Sequence, residues 1–259
     1  MGDKQLQKLK AAGVIGQSRA VRILAAPAGK DVSLEPNQLL VHLQRHGQGF
    51  HNLVSDYIKQ HGVVLNSQGG ERAVDHPYRL EEMVDPPLTD KGREQCKAQQ
   101  PTAAALRPQA VLVSPLCRAI QTALFTFSHV SGKVPFVTVE ELRETIGQNT
   151  CDKRRARSDL ECEYGHLVDL SRLQDDKDVQ WTPDHRESPQ ELVDRIYMFM
   201  LELRSQANKE VAVVGHSGWL LAMLSAVCDC SAHPHLATWF ETCEIRSVVL
   251  TYEDEKQVS

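Results

Sequence analysis

The sequence predicts an α/β fold, a three-layer α/β/α sandwich with a mostly parallel sheet between two layers of helices. Five short apolar runs have the length and composition of buried strands, and the first of them is Leu39 to Leu43. Segments long enough for helices separate these runs, and strands that alternate with helices form a mostly parallel sheet. The 259 residues are enough for one large domain with a substantial core.

The predicted elements follow in a regular order. After the strand at 39–43, helices are predicted at 50–60 and from Thr89, a good N-cap, with Pro101 expected to kink or end the second. Ser188 opens a later helix with a capping box. The remaining elements are a strand at 110–113, a helix at 116–127, strands at 134–139 and 211–214, helices at 188–204 and 219–227, and a last strand at 246–252.

Three segments lack a sustained periodic pattern of apolar residues. Residues 1–36 are interpreted as an N-terminal extension with one amphipathic helix over 5–12, and residues 37–259 as the folded domain. Residues 62–87 are rich in glycine, proline and charge, which predicts a long surface excursion. The polar segment 147–188 is interpreted as an inserted cap over one face of the domain.

Composition limits the function classes. The formal net charge of −5 excludes a polyanion binder whose whole surface is basic, so no nucleic acid partner is expected, although a local basic pocket is allowed. The sequence contains no run of about 18 apolar residues, so no membrane span is predicted. Seven scattered cysteines, of which only Cys228 and Cys230 are close in sequence, lack the spacing of a structural zinc site. We therefore expect reduced thiols in a cytoplasmic protein without a membrane partner.

Charged and titratable residues follow four of the predicted strands. Arg45 and His46 come after the first strand, Arg118 lies just past the second, Glu144 follows the third and His216 follows the fourth. Because parallel strands gather their carboxyl ends along one edge of a sheet, we expect these side chains to converge.

This set of side chains suits phosphoryl transfer. A histidine with a pKa near 6.5 offers an unprotonated nitrogen around neutral pH, which can act as a nucleophile. The planar forks of two arginines match the oxygens of a phosphate group, and a second histidine can donate a hydrogen bond to it. A carboxylate can protonate the leaving oxygen and later deprotonate water. Such a site requires no metal.

Five motifs occur in one order between residues 39 and 218. They are Arg45-His46-Gly47 with Asn52, Leu88-Thr89 with Gly92, Ser114-Pro115 with Arg118, Gln121 and Thr122, Leu142 to Gly147, and Gly215-His216-Ser217-Gly218. Together they resemble the histidine phosphatase superfamily, in its phosphoglycerate-mutase-like branch. The resemblance implies the phosphoglycerate-mutase-like fold and makes residues 37–259 the catalytic domain.

The resemblance also implies roles for individual residues. His46 is the phosphohistidine, Glu144 the proton donor and His216 the second catalytic histidine. The phosphate-binding residues that the resemblance implies are Arg45, Asn52, Arg118 and Ser217, together with His216.

Two departures from the family's pattern bear on activity. Mutases usually have glutamate where this chain has Gln48, and Glu-Arg-x-Tyr-Gly where it has Glu144 to Gly147. Glu141 is therefore a second candidate for the proton donor. The section at 151–155 resembles small phosphoglycerate-mutase-like proteins of plants and fungi. Its basic residues, within the run 153–157, are typical of a solvated helix face, the alternative being contact with an acidic substrate.

The resemblance implies a phosphomonoester hydrolase that acts on a small phosphorylated metabolite through a phosphohistidine, with no required cofactor. The alternative is a cofactor-dependent phosphoglycerate mutase, an isomerase that needs a 2,3-bisphosphoglycerate primer. Whether water or a sugar acid receives the phosphate depends on how far the cap excludes water. A catalytically silent protein that only binds a phosphorylated ligand predicts the loss of the nucleophile, an arginine or the second histidine, and none is missing.

Overall fold

A seven-stranded mixed sheet forms the centre of the computed structural model, which describes residues 2–29, 32–61, 67–68, 71–72 and 76–254. Helices cover both faces of this sheet, so the predicted α/β class is confirmed. Within the described part of the chain, no helix is both long enough and apolar enough to cross a membrane.

The helices and strands are numbered here in chain order. The strands are β1 (Val21–Pro27), β2 (Gln38–Arg45), β3 (Ser67–Gln68), β4 (Glu71–Arg72), β5 (Ala110–Val113), β6 (Phe136–Thr138), β7 (Glu210–Gly215), β8 (Cys228–Asp229) and β9 (Ile245–Asp254). The helices are α1 (Gly2–Ala11), α2 (Phe50–Gln60), α3 (Asp90–Ala104), α4 (Cys117–Thr126), α5 (Arg157–Tyr164), α6 (Pro189–Ser205) and α7 (Ser217–Ala222). A π-helical turn, Met223–Val227, continues α7.

The strands of the sheet lie in the order β6-β5-β7-β2-β9-β1-β8. β2, β5, β6 and β7 are parallel, whereas β9 runs antiparallel between β2 and β1. β2 and β7 are neighbours whose last residues, Arg45 and Gly215, stand opposite each other. The carboxyl ends of these parallel strands therefore meet at one edge of the sheet, where the residues that follow them come together.

The core is divided between the two faces of the sheet. Val213 of β7 packs in one cluster with Ile196 of α6 and Trp219 of α7. The next residue, Val214, packs in a second cluster with Ile120 of α4. Successive strand residues point to opposite faces, so both faces of β7 are buried, as the continuous apolar run predicted.

The five predicted strands occur as β2, β5, β6, β7 and β9, but the sequence reading missed β1. Val21–Pro27 lies within the interpreted extension 1–36 and pairs with β9 and β8. Its alternate residues Ile23 and Ala25 are buried, but alanine and proline have low strand propensity and hide the pattern. The expected boundary at residue 36 therefore falls between two strands of one sheet. The predicted helix occurs as α1, with Leu9 in the core.

Both predicted helix caps are confirmed. The Thr89 side chain accepts a hydrogen bond from the Gly92 N–H at 3.1 Å, and α3 continues through Pro101 to its end. Ser188 and Glu191 form the reciprocal bonds of a capping box at the start of α6.

The predicted excursion and the predicted cap are described to different extents by the structure. Of the predicted excursion 62–87, the stretches 62–66, 69–70 and 73–75 lie outside the described residues, and the rest forms β3, β4 and two 3-10 turns. The cap segment, residues 147–188, contains α5, whose Leu160 belongs to the core cluster of α4.

The basic run in this cap is not a solvated helix face. Arg154 is 3 % exposed and donates to Glu140 at 2.8 Å and to backbone carbonyls at 175–177. Arg155 pairs with Asp85 and Glu163. These arginines hold the cap together, which short-range sequence patterns do not reveal.

Candidate active site

His46 is the first residue after β2 and is only 2 % exposed. Its N–H donates to the Gly215 carbonyl at 3.0 Å, and its own carbonyl accepts from the Cys243 N–H at 3.2 Å. Its Nδ1 lies 2.6 Å from the Gly47 carbonyl oxygen. Because a carbonyl can only accept, Nδ1 carries the proton and the lone pair is on Nε2. The backbone thus fixes the tautomer that a nucleophilic histidine needs.

The start of α3 packs closely on the loop that follows His46. A Cβ on Gly47 would lie 2.8 Å from the Gly92 carbonyl oxygen, and a Cβ on Gly92 would lie 2.3 Å from the Gln48 carbonyl oxygen. The Gly47 N–H also donates to the Thr122 hydroxyl of α4 at 3.0 Å. The motif Leu88-Thr89 with Gly92 therefore shapes the His46 loop from outside.

Gln48 is turned toward these helices. Its Oε1 accepts from the Thr89 hydroxyl at 2.9 Å, and its Nε2 donates to the Asp56 carboxylate at 3.3 Å. The residue that departs from the mutase pattern thus links α2 to α3.

Two buried arginines stand beside His46. Arg45, the last residue of β2, is 7 % exposed, and its Nη1 donates to the Phe240 carbonyl at 2.7 Å. Arg118 is 1 % exposed and donates to the Cys151 carbonyl at 2.6 Å and to Asp152 Oδ1 at 3.0 Å. The Nε atoms of both arginines lack a hydrogen-bond acceptor among the described residues.

Asp152 of the cap anchors Arg118. Its second oxygen accepts from Arg186 at 3.0 Å and from Asn149 at 3.3 Å. Burial by itself raises the pKa of Asp152, but the Arg186 and Arg118 guanidinium groups outweigh it and hold the pKa below its ordinary value. The ionised carboxylate therefore bridges the two arginines. We did not predict this residue, because only the folded cap brings it to α4.

His216 follows β7 and is fully buried. Its ring centre lies 5.0 Å from that of His46, and its Nε2 lies 2.8 Å from the Ser114 hydroxyl at the end of β5. Its Nδ1 has no hydrogen-bond partner within the described part of the chain. Ser217, also buried, is the first residue of α7.

Both imidazoles are held in the neutral form. The pKa values of His46 and His216 lie well below 6.5, because burial disfavours the charged ring and the Arg118 guanidinium repels it. A neutral ring with its lone pair on Nε2 is the reactive state of a histidine nucleophile. Among the described residues, no three histidine, cysteine, aspartate or glutamate side chains are grouped as ligands of a metal ion.

A third imidazole, His51, joins the site from the first turn of α2. Its ring centre is 5.4 Å from that of His46, and the residue is 7 % exposed. The Tyr78 hydroxyl donates to its carbonyl at 2.8 Å. The sequence signal was its place one helical turn after the His46 loop. The neighbouring Asn52 uses its side-chain oxygen to accept from the Gly49 N–H at 3.0 Å, which shapes the loop.

Glu144 reaches the site at the N-terminus of α7. Its carboxylate accepts from the Gly218 N–H at 2.9 Å and from the Thr145 N–H at 3.0 Å. Glu141, the alternative proton donor, instead lines a separate cavity of about 360 Å³ together with Arg172. Of the two candidates, only Glu144 has its carboxylate against the helix that begins after the second histidine.

A model of the histidine phosphatase superfamily (branch 1) matches residues 70–259. The chain belongs to this superfamily. The matched span includes Arg118, Glu144 and His216 and begins after His46. The resemblance inferred from the five motifs is thereby confirmed.

Individual relatives agree with this membership. A phosphoglycerate mutase-like protein of Arabidopsis thaliana is 30 % identical over 244 residues, which cover 81 % of this chain and 83 % of the relative. The structure of a putative alpha-ribazole-5'-P phosphatase from Escherichia coli has a TM-score of 0.51 and 19 % identity over 83 % of this chain and 95 % of that one. A phosphoglycerate mutase from Bacillus anthracis has a TM-score of 0.50 and 15 % identity over 85 % and 92 %. These two structures share the fold.

Proposed function

We propose that the protein hydrolyses the phosphate monoesters of small metabolites through a phosphohistidine at His46. The observation that carries this proposal is a neutral nucleophile surrounded by buried donors without an acceptor. The donors are the Nε groups of Arg45 and Arg118, which have no partner among the described residues. Buried donors are normally satisfied, and a phosphate group supplies both the oxygens and the negative charge that they need.

The first chemical step forms the phosphoenzyme. Nε2 of His46 attacks phosphorus, the N–P bond forms, and the bond to the leaving oxygen breaks. Glu144 donates its proton to that oxygen, which leaves as an alcohol. Arg45 and Arg118 stabilise the charge on the transferred oxygens, and the Gly47 carbonyl holds the Nδ1 proton in place.

The second step returns the enzyme to its starting state. A water molecule attacks phosphorus, and Glu144, now ionised, accepts its proton. The N–P bond breaks and leaves a neutral His46. Because the Arg118 guanidinium and burial both disfavour a charged imidazole, the His46 ring is a good leaving group once the phosphate is transferred.

The contacts of the cap arginines support hydrolysis over mutase activity. A mutase must hold a second anionic group of its substrate, the carboxylate of a sugar acid, beside the transferred phosphate. The arginines of the cap instead contact acceptors of the protein, either carboxylates or backbone carbonyls. They are Arg154, Arg155, Arg157, Arg172 and Arg186. Arginines that are engaged within the protein favour substrates whose recognised anion is a single phosphate.

The test is a product assay on the purified protein. An aryl phosphate and 3-phosphoglycerate are supplied with and without 2,3-bisphosphoglycerate, and inorganic phosphate and isomerised product are measured. We expect phosphate release from both and no effect of the primer. Primer-dependent isomerisation faster than phosphate release would show a mutase.

The nucleophile is tested separately by labelling. We expect a ³²P-labelled donor to give an acid-labile phosphoenzyme that is lost in His46→Ala. His235→Ala, at an exposed histidine, serves as the matched control and should label normally. Labelling that persists in His46→Ala would place the nucleophile elsewhere, and no labelling of the wild type would refute the phosphoenzyme.

A further inference from the structure

Two cysteine thiols meet behind the His46 loop. Cys96 lies on α3 and Cys243 in the turn before β9, 147 positions apart, and their Sγ atoms are 3.6 Å apart. Both residues are buried and pack with Leu88 and Phe125. Of the seven cysteines, only Cys228 and Cys230 are close in sequence, so the fold creates this pair.

The pair touches the backbone that positions the nucleophile. The Cys243 N–H donates to the His46 carbonyl at 3.2 Å, and a Cβ on Gly47 would lie 3.3 Å from Cys96 Sγ. The Gln44 side chain donates to Cys243 Sγ at 3.4 Å. Cys243 has a φ of +67°, in the left-handed region that non-glycine residues rarely adopt. Strained positions of this kind concentrate at functional sites.

The two thiols have different acidities. The Cys243 thiol donates a hydrogen bond to Cys96 Sγ, and this bond, with those from Thr122 and Thr126, lowers the pKa of Cys96 despite its burial. The same interaction raises the pKa of Cys243. Cys117, in contrast, has its pKa raised by burial to about 11. Because the thiolate is the reactive form, Cys96 is the sulfur suited to attack first, and Cys243 is the neighbouring sulfur that can then react with it.

We propose that Cys96 and Cys243 are a modification site that forms a reversible disulfide with a peroxide and thereby switches the enzyme off. First, the Cys96 thiolate attacks a peroxide oxygen, so that an S–O bond forms, the O–O bond breaks, and the leaving oxygen takes up a proton. Cys243 then attacks the resulting sulfenic acid, the S–S bond forms, and the hydroxyl leaves with the thiol proton as water. A dithiol returns the two electrons and restores both thiols.

Closure of the disulfide must move the catalytic loop. An S–S bond is about 2.05 Å long, so the sulfurs must approach by roughly 1.5 Å. The Cys243 N–H holds the His46 carbonyl, and Cys96 Sγ lies 3.3 Å from the position that a Cβ on Gly47 would take, so this movement reaches the His46 loop. A displacement of about 1 Å in a catalytic site can cost about a hundredfold in rate. We expect a loss of at least about tenfold.

The experiment measures formation of the disulfide separately from its effect on activity. Cys162→Ser, which removes the exposed thiol, is the background for all variants. The protein is treated with hydrogen peroxide, remaining thiols are blocked with N-ethylmaleimide, and peptides are mapped without reduction. We expect one cross-linked species that joins the Cys96 and Cys243 peptides, a mass loss of two hydrogens, and recovery with dithiothreitol. Cys243→Ser should form no cross-link and keep its activity after peroxide.

Each outcome bears on a different claim. Peroxide that modifies other thiols, or leaves Cys96 and Cys243 unlinked, overturns the modification site. A mapped disulfide without loss of aryl phosphate hydrolysis overturns the switch. The activity arm rests on the proposed phosphatase, whereas the peptide map does not, so a protein that forms the disulfide but hydrolyses no phosphate ester refutes the proposed function alone. If Cys243→Ser fails to fold, the wild-type map and dithiothreitol reversal still decide.

Discussion

Gly218→Ala tests the role of Glu144 without touching the carboxylate itself. A Cβ at position 218 would lie 2.4 Å from Glu144 Oε1, whereas ordinary contacts of a Cβ begin near 3.4 Å, so the carboxylate must move by about 1 Å (3.4 − 2.4). Gly218 has no left-handed φ, and alanine is the better helix former, so the backbone of α7 accepts the substitution. A shift of this size costs about a hundredfold in rate, or about 2.7 kcal/mol in the barrier.

The assay compares two leaving groups. An alkyl phosphate needs the proton from Glu144, whereas an aryl phosphate has a leaving group that departs with little protonation. For Gly218→Ala we expect kcat/KM to fall by about a hundredfold on the alkyl ester and by less than about tenfold on the aryl ester. Gly215→Ala is the matched control, because its Cβ would meet only the Leu142 carbonyl oxygen at an ordinary 3.6 Å. Equal losses on both esters, or equal losses in the two variants, would refute Glu144 as proton donor.

Two further outcomes are expected. Asp152→Asn removes the charge between Arg118 and Arg186, so we expect a stability loss of about 3–5 kcal/mol in urea unfolding. We also expect kcat/KM to fall about tenfold or more; unchanged kinetics would show that Arg118 needs no anchor. The pKa values of His46 and His216 are depressed, so the unfolded rings take up protons below about pH 6.5 while the folded rings do not. Unfolding free energy should therefore fall as the pH decreases from about 6.5, by up to about 1.4 kcal/mol per unit for each ring, and be constant above; a rise would contradict the buried neutral pair.

Asp178→Asn is the matched control for the loss of the Asp152 charge. Asp178 forms a buried ion pair with Arg143, which keeps its bonds to Glu140 and to the Asp152 carbonyl when that pair is broken. We expect a comparable stability loss but less than about a threefold change in kcat/KM. For the pH series, His216→Gln should reduce the slope by about half of the combined contribution.

Arg45, His46, Glu144 and His216 were predictable as candidate site residues because each lies at the end of a strand or in the segment that follows it. A parallel sheet brings its strand ends to one edge, so Arg45, His46, Glu144 and His216 needed only the strands to be located. The continuous apolar runs located them well. Even so, β1 escaped, because its alanines and its proline weaken the pattern that marks a strand.

The residues that hold these side chains in position were not predictable from local sequence patterns. Asp152 reaches Arg118 only because the cap folds back on α4, and the partners of Cys96 and Cys243 are set by long-range packing. His51 was visible in the sequence, but a histidine on an amphipathic helix is more often a packing residue. Its approach to His46 depends on where α2 starts after the loop.

The cap orients the guanidinium of Arg118. Both terminal nitrogens of Arg118 donate to cap residues, the Cys151 carbonyl and the Asp152 carboxylate, so the cap determines which way the guanidinium faces. An arginine buried without such a partner would lose its hydration, and no hydrogen bond or ion pair would offset that cost. Its orientation would also be undefined. A chain without the cap would therefore lose the contacts that orient Arg118, the residue that the proposed function assigns to phosphate binding. The division into a catalytic domain and an inserted segment, natural in the sequence, does not describe the chemistry of this site.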